Sequence, residues 1–447
     1  MKIGRREFLT TTAGAALYAS ASILFASPNC PDPNDPNDPN AITDPDHEIG
    51  KPYVGWQEGD FDAHFIYTGA GENCFHIFPD GTTCLVDCGD LDVKGSRGAR
   101  ACEPAPDESR RPGEWVARYI ARLLPKLDKI DYVVASHFHS DHIGSGNYGA
   151  GITCGRTPDY QLSGIAQVGD FYNFGTAFDR GYPNYDRPTE WAPGERDNLL
   201  RFFTFKEQTA GLNREEFVVG ALDQIKSVHA PDKYDFHIRN VCKNGVLWLG
   251  KDGKTLDFFE TWPENKTKNK NENTRSIVTV TQYGDFRLYS GGDASGVLLD
   301  ESGADLDFEG AIGRVVGPVD VCKTNHHSFS DAMRPSFVNA VRARAYVTCV
   351  WCEGHLRENT AAAMADDSAT GYPGPRLICP NGTHPDWAKA AEGKPWRNKL
   401  VERVGHVVVK AYDGGKKYKI YYLTAKDESM TVDLVFGPFD AGANRRA

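Results

Sequence analysis

The chain has 447 residues, 40% of them hydrophobic, which is enough to bury a large core and excludes a disordered, purely polar protein. Its formal charge is −11, from 50 Lys and Arg against 61 Asp and Glu, and no basic stripe runs along it, so tight nucleic-acid binding is not expected. Asp32, Asp35, Asp38, Asp44 and Asp46 crowd into one short segment, which leaves the rest of the chain only mildly acidic.

Residues 1–27 read as an export signal. Gly4-Arg5-Arg6-Glu7-Phe8-Leu9 sets paired arginines ahead of a weakly apolar run from Thr10 to Ala26. That run is too short and mild for a membrane-spanning helix, which takes roughly 20 strongly apolar residues. It resembles a twin-arginine signal cleaved between about Ala21 and Ala26, with an ordinary secretory signal as the alternative. Both predict a periplasmic or secreted protein with no transmembrane helix in its mature form. Ser27-Pro28-Asn29 ahead of Cys30 does not match a lipoprotein cleavage site. Residues 28–47 read as a linker, because repeated Pro, Asn and Asp neither donate enough backbone hydrogen bonds nor bury enough apolar area to fold.

Residues 48–447 read as one large domain with an insertion at about 149–228. Cys74 to Phe78 and Thr82 to Val86 flank Pro79-Asp80-Gly81, a turn signal, and the second run ends at Asp87-Cys88-Gly89-Asp90. Val116, Tyr119, Ile120, Leu123 and Leu124 fall at helical spacing until Pro125 stops them. Tyr132 to Ser136 then forms a buried strand. It runs into His137-Phe138-His139-Ser140-Asp141-His142, which has three imidazoles and a carboxylate within six residues, followed by small residues. Imidazole and carboxylate are the usual ligands of zinc and similar cations. His137 and His139, two apart at a strand end, project the same way; Asp141 and His142 sit in the next turn and can face a second cation. A solvated His-rich loop is the plainer alternative.

The segment 149–228 shows no ligand pattern but many aromatics, among them Tyr160, Phe171, Tyr172, Phe174, Phe178, Tyr182, Tyr185, Trp191, Phe202, Phe203 and Phe205. They form either a substrate wall or lid, or the insertion's own core. Regular pattern returns at Ser276 to Thr281, then at Phe286 to Ser290, ending in Gly291-Gly292-Asp293. A further strand, Val319 to Lys323, ends at Asn325-His326-His327-Ser328. Helix near Met333 to Val341 leads to a strand from Ala345 to Cys349. Later β-runs read as peripheral hairpins. Eleven cysteines read as buried small residues with one or two disulfides; Cys349-Val350-Trp351-Cys352 has no second C-x-x-C partner to make a zinc knuckle.

Potential ligands thus recur where strands end: Asp87, the His137–His142 run, Asp293 and His326. With Gly71-Glu72-Asn73-Cys74, Leu85 to Gly89, Tyr283 to Phe286, Ser290 to Ala294 and Lys323 to Ser328, this pattern resembles the metallo-β-lactamase superfamily over roughly residues 60–350. Its nearest likeness there is to the metallohydrolase domain of competence DNA-uptake channel proteins and to phosphorylcholine esterases. The resemblance implies an α/β fold, a four-layer αββα sandwich, with two cations between the sheets, zinc first and manganese or iron as alternatives. It implies His137 and His139 on the first cation, Asp141 and His142 on the second, Asp293 bridging, and His326 completing the second set, with His327 as the alternative. Asp87 would brace the loop rather than bind. Relatives supply a third His to the first cation; here that position is Asn273, a weaker ligand, with His229 or His237 as replacements from the preceding loop. The implied activity is hydrolysis by a metal-bound hydroxide, Asp141 orienting the water and His327 protonating the leaving group. The implied substrate is a small-molecule or lipid or cell-envelope ester, a phosphoester foremost, with sulfate, lactone or β-lactam also open. Two other readings stand beside it, an exported metal-binding or surface-interaction module without chemistry, and an iron redox enzyme.

Overall fold

A computed structural model describes residues 44–446 other than 45, 92–100, 146–151, 154–156, 158, 186–192, 252, 260–271, 296, 301 and 367–375. The expected export signal and most of the expected linker lie outside the described residues.

Alternation along the strands builds the layers, because successive side chains of a strand point to opposite faces. One nine-stranded sheet runs, edge to edge, through Val432–Asp440, Lys417–Leu423, His406–Tyr412, Phe61–Phe65, Asn73–Ile77, Thr83–Cys88, Lys129–Ala135, Asn173–Asp179 and Asn213–Arg214. Its Phe75, Ile77, Leu85 and Val133 face helices Pro112–Leu123 and Ile165–Phe171, meeting Val116, Ile120, Ile165 and Val168. Its Cys74, Cys84, Tyr132, Val134, Val407 and Val409 point the other way, onto Leu288, Val321, Val347 and Leu377 of a second sheet. That second sheet has eight strands, ordered Thr255–Asp257, Val246–Trp248, Phe236–Lys243, Val278–Tyr283, Phe286–Ser290, Val321–Lys323, Ala345–Thr348 and Leu377–Pro380. Its outer face, with Tyr289, Cys322, Tyr346 and Ile378, lies under Phe308–Val316 and Pro335–Val341. The result is the four-layer helix–sheet–sheet–helix sandwich that the resemblance implied.

The segment 149–228 is woven into this sandwich rather than set beside it. Asn173–Asp179 lies parallel to Lys129–Ala135, pairing Ala135 with Asp179. Tyr160, Tyr172, Phe174, Phe202 and Phe203 join the first helix–sheet core, and Phe178 the inter-sheet core. These rings therefore fill a shared interior, not a core of the segment's own; Trp191 lies outside the described residues. The C-terminal β-runs likewise are three strands of the first sheet, with His406–Tyr412 paired to Phe61–Phe65. No disulfide joins any two described cysteines, which are all buried except the half-buried Cys352. No described helix is long and apolar enough to cross a membrane.

What positions the site is the parallel half of each sheet. Thr83–Cys88, Lys129–Ala135 and Asn173–Asp179 run parallel in one sheet, and Phe286–Ser290, Val321–Lys323 and Ala345–Thr348 in the other. Their C-terminal ends come together at one rim, where the Ile277 N–H donates across to the Ser136 carbonyl at 2.9 Å.

Candidate metal centre

From the first sheet, Thr83–Cys88 delivers Asp87, fully buried and held at φ +59°. Its carboxylate accepts from the Ser136 N–H at 2.7 Å and the Ser136 hydroxyl at 2.6 Å, and faces His142 Nδ1 at 2.8 Å. These are the bracing bonds expected of Asp87: they fix the strand end and aim the other ring nitrogen of His142 inward. The helical turn Ser140–Ile143 starts at His139, and the Asp141 carbonyl accepts from Glu72 N–H at 2.8 Å. A Cβ at Gly89 would stand 2.0 Å from that carbonyl oxygen, so only glycine fits there. His137 Nδ1 lies 3.1 Å from the Ser136 hydroxyl, and its Nε2 is 3.1 Å from His139 Nδ1 and 3.8 Å from Asp293 Oδ2.

From the second sheet, Phe286–Ser290 ends in the turn carrying Asp293, whose N–H donates to Ser276 Oγ at 3.1 Å. Asp293 Oδ2 sits 3.2 Å from His142 Nε2, 3.6 Å from His327 Nε2 and 3.8 Å from His137 Nε2. Asp293 is therefore the carboxylate common to two clusters: His137, His139 and Asp293, and Glu72, His142, Asp293 and His327. The strand Val321–Lys323 leads into a turn where His326 and His327 both take left-handed conformations, φ 42° and 49°.

In that turn His327, not His326, enters the second cluster. Its Nε2 is 3.2 Å from His142 Nε2 and 3.2 Å from Asp141 Oδ2, while its Nδ1 meets the Cys349 carbonyl at 2.8 Å. His326 is turned aside: Nδ1 pairs with Asp331 at 2.6 Å and Nε2 lies 3.1 Å from the Asn273 amide. Of the two, it is the stated alternative, His327, and not the preferred His326, whose ring joins this cluster. Spacing could not decide it, since the two residues share one backbone conformation and only their side-chain directions differ.

The replacements expected for a third histidine do not reach the centre. His229 is 52% exposed and pairs with Asp131 at 3.2 Å, near the start of the strand whose far end carries His137. His137 lies six positions along extended chain from Asp131, about 20 Å. His237 pairs in register with Gln282, at the end of Val278–Tyr283 remote from Ile277. Asn273 itself is buried beside His326, its Oδ1 without a hydrogen-bond partner among the described residues.

Several neighbours were not read from the sequence. Trp351 Nε1 donates to Asp141 Oδ2 at 3.0 Å. His355 stacks on His327 with centroids 4.4 Å apart. Buried Glu72 and Lys323 pair at 2.6 Å, and Lys323 Nζ also donates to the Gly292 carbonyl at 2.6 Å. A lysine ending a fully buried strand was the available signal, because a buried ammonium requires a nearby carboxylate.

The donor set fits a divalent cation on chemical grounds. The Nδ1 atoms of His142 and His327 face a carboxylate and a carbonyl, both acceptors only, so those nitrogens carry protons. Each Nε2 then faces the other at 3.2 Å, with Asp293 and Asp141 oxygens also 3.2 Å away. A positive charge fits among these atoms, carried by a proton on one ring or by a metal cation. Burial disfavours charge on His142, yet the carboxylates of Asp293, Asp87 and Asp141 outweigh it and hold its pKa well above the ordinary value. In His137, burial first and then the His142 imidazole depress the pKa well below the ordinary value, leaving a neutral ring suited to ligation.

Residues 67–151 match the family model of the metallo-beta-lactamase superfamily, a span that holds Asp87 and the His137–His142 loop. A solved structure described as "Putative metal-dependent hydrolase from Parabacteroides distasonis ATCC 8503" aligns over 72% of this chain and 92% of its own, at 9% identity and a TM-score of 0.32. No curated protein matches the sequence.

Proposed function

We propose that the chain is an exported metal-dependent hydrolase of ester substrates, phosphoesters foremost, with two zinc ions, or manganese or iron in their place. The observation that carries this reading is the 3.2 Å approach of the His142 and His327 Nε2 atoms, buried among Asp87, Asp141 and Asp293. His137, His139 and Asp293 would hold one cation; His142, His327, Asp293 and Asp141 would hold the other. Bound there, such cations lower the pKa of water and supply a nucleophile near neutral pH.

The chain's own residues do the positioning. Asp87 and the Cys349 carbonyl fix the ring orientations of His142 and His327. Trp351 holds Asp141 Oδ2, which orients the attacking water. His327 Nε2 is committed to Asp141, Asp293 and His142, so proton delivery to a leaving group is not assigned to it. The choice of phosphoesters rests on the motif likeness to competence-channel metallohydrolase domains and phosphorylcholine esterases, and export rests on the paired arginines at Arg5 and Arg6.

A panel of chromogenic substrates tests the reading: a phosphodiester, a choline-phosphate ester, a sulfate ester, a lactone and a β-lactam, each with protein reconstituted in zinc, manganese or ferrous iron. Turnover of a phosphodiester that is lost on chelation and restored by metal is the expected result. Bound metal with no turnover on any member of the panel would contradict it and favour a binding module, which Asn273 in place of a third histidine would then explain.

A further inference from the structure

The loop that carries His137 and His139 is fixed from outside by a buried ion pair. The backbone N–H of Phe138, the residue between the two histidines, donates to Glu272 Oε1 at 2.8 Å. Glu272 is fully buried and receives both Nε and Nη2 of Arg180, the latter at 2.8 Å. The Arg180 guanidinium lies over the Phe138 ring, 4.3 Å from its centroid. Asn244 returns the contact, donating from Nδ2 to the Arg180 carbonyl. Arg180 follows the strand Asn173–Asp179, the parallel neighbour of the strand that delivers His137, so both arrive at the same rim.

The segment that begins at Glu272 touches every donor-bearing loop in turn. Glu272 holds Phe138, Asn273 meets His326, Ser276 Oγ accepts from the Asp293 N–H, and Ile277 donates to Ser136. Desolvating a carboxylate is costly, and here its compensation is a bidentate guanidinium and a backbone N–H. A backbone N–H that points away from a strand end could have bonded to water; spending a buried charge on it makes sense where the flanking side chains must not rotate.

We infer that Glu272 and Arg180 are positioning residues for the first cation set, holding His137 and His139 in ligating geometry in a cluster that lacks a third histidine. The inference rests on the two-cation reading above. Competition titration of the metal-free full chain with zinc against a chromophoric chelator tests it. His139→Ala identifies which binding step belongs to the first set. Glu272→Ala is expected to weaken that step roughly 10- to 100-fold, as loss of outer-shell partners does, and to leave the other step unchanged. Glu272→Gln, which can still accept from Phe138, is expected to recover part of the loss. Arg180→Gln, which leaves Glu272 in place, is expected to give a smaller loss confined to the same step, and it carries the test if Glu272→Ala does not fold. Equal weakening of both steps, or no change in the first step in a folded variant, would overturn the inference while leaving the two-cation reading intact. No zinc binding by the unsubstituted chain would overturn both.

Discussion

The two clusters that share Asp293 are built to different standards. In the second, Asp87 braces His142, the Cys349 carbonyl and the stacked His355 ring brace His327, Lys323 pairs with Glu72, and Trp351 holds the neighbouring Asp141. In the first, His137 has only the Ser136 hydroxyl and His139 contacts His137 itself, while the residue where a third imidazole was expected, Asn273, is engaged with His326. Both clusters take Asp293 from the second sheet, but the second adds His327 from there, while the first draws its two imidazoles from one loop with the Glu272–Arg180 pair behind it. The difference teaches that a short His-rich motif announces a centre without saying which of its halves is the rigid one.

The comparison can be broken or sharpened by substitution. The largest effect is expected from Asp293→Ala, which removes the common carboxylate: both cations should be lost, as read by metal content per chain after gel filtration, along with any ester turnover. If one cation stays at full occupancy, Asp293 is not shared. Trp351→Phe should come next, leaving Asp141 without its donor and lowering affinity at the second set or turnover by roughly 10- to 100-fold, with the first set unaffected. Asn273→His works in the opposite direction. If the first set is short of a ligand, this change should tighten its zinc affinity by about tenfold, the order of gain that ligand-shell changes bring; unchanged affinity would mean that the Asn273 position does not face the cation.

The smallest effects lie away from the centre and concern imidazoles buried without metal. Burial, with a further contribution from His64, pushes His76 and His406 down to about 3. An unfolded histidine titrates near its ordinary value of about 6.5, so between there and about 3 the unfolded chain binds more protons than the folded one. Stability is therefore full above the unfolded pKa and falls as pH drops through that window, by on the order of 3 kcal/mol per ring by pH 4 at most. His76→Leu should flatten that decline in metal-free protein, measured as the urea midpoint at pH 7 and pH 4. A midpoint that falls as steeply in the variant as in the parent would show that His76 is not buried neutral.

How much of this was legible depended on how local the signal was. The His137–His142 loop and the strand ahead of it need only neighbouring residues, and Asp87 and Asp293 stand at strand ends that alternation marks. The layering came with the family resemblance, not from the pattern of the strands alone. His327 over His326 was not legible, because two left-handed residues in one turn differ only in which side chain points inward. Glu72, Lys323, Trp351 and Glu272 were not legible as site residues because each acts across the sandwich, on partners far away in the chain. The aromatics of 149–228 misled in the other direction. Their number left a substrate wall and a core of the segment's own equally open, yet Phe174, Phe202 and Phe203 bury themselves in a core shared with the sheet.

The central claim is that His142 and His327 face one another because a cation belongs between them. Anomalous diffraction at the zinc edge, from crystals of the full chain grown with zinc, tests it most directly. The account predicts a peak within ligating distance of both Nε2 atoms and of Asp293, with a second peak at His137 and His139. The account is contradicted if fully ordered rings of His142 and His327 show no peak between them.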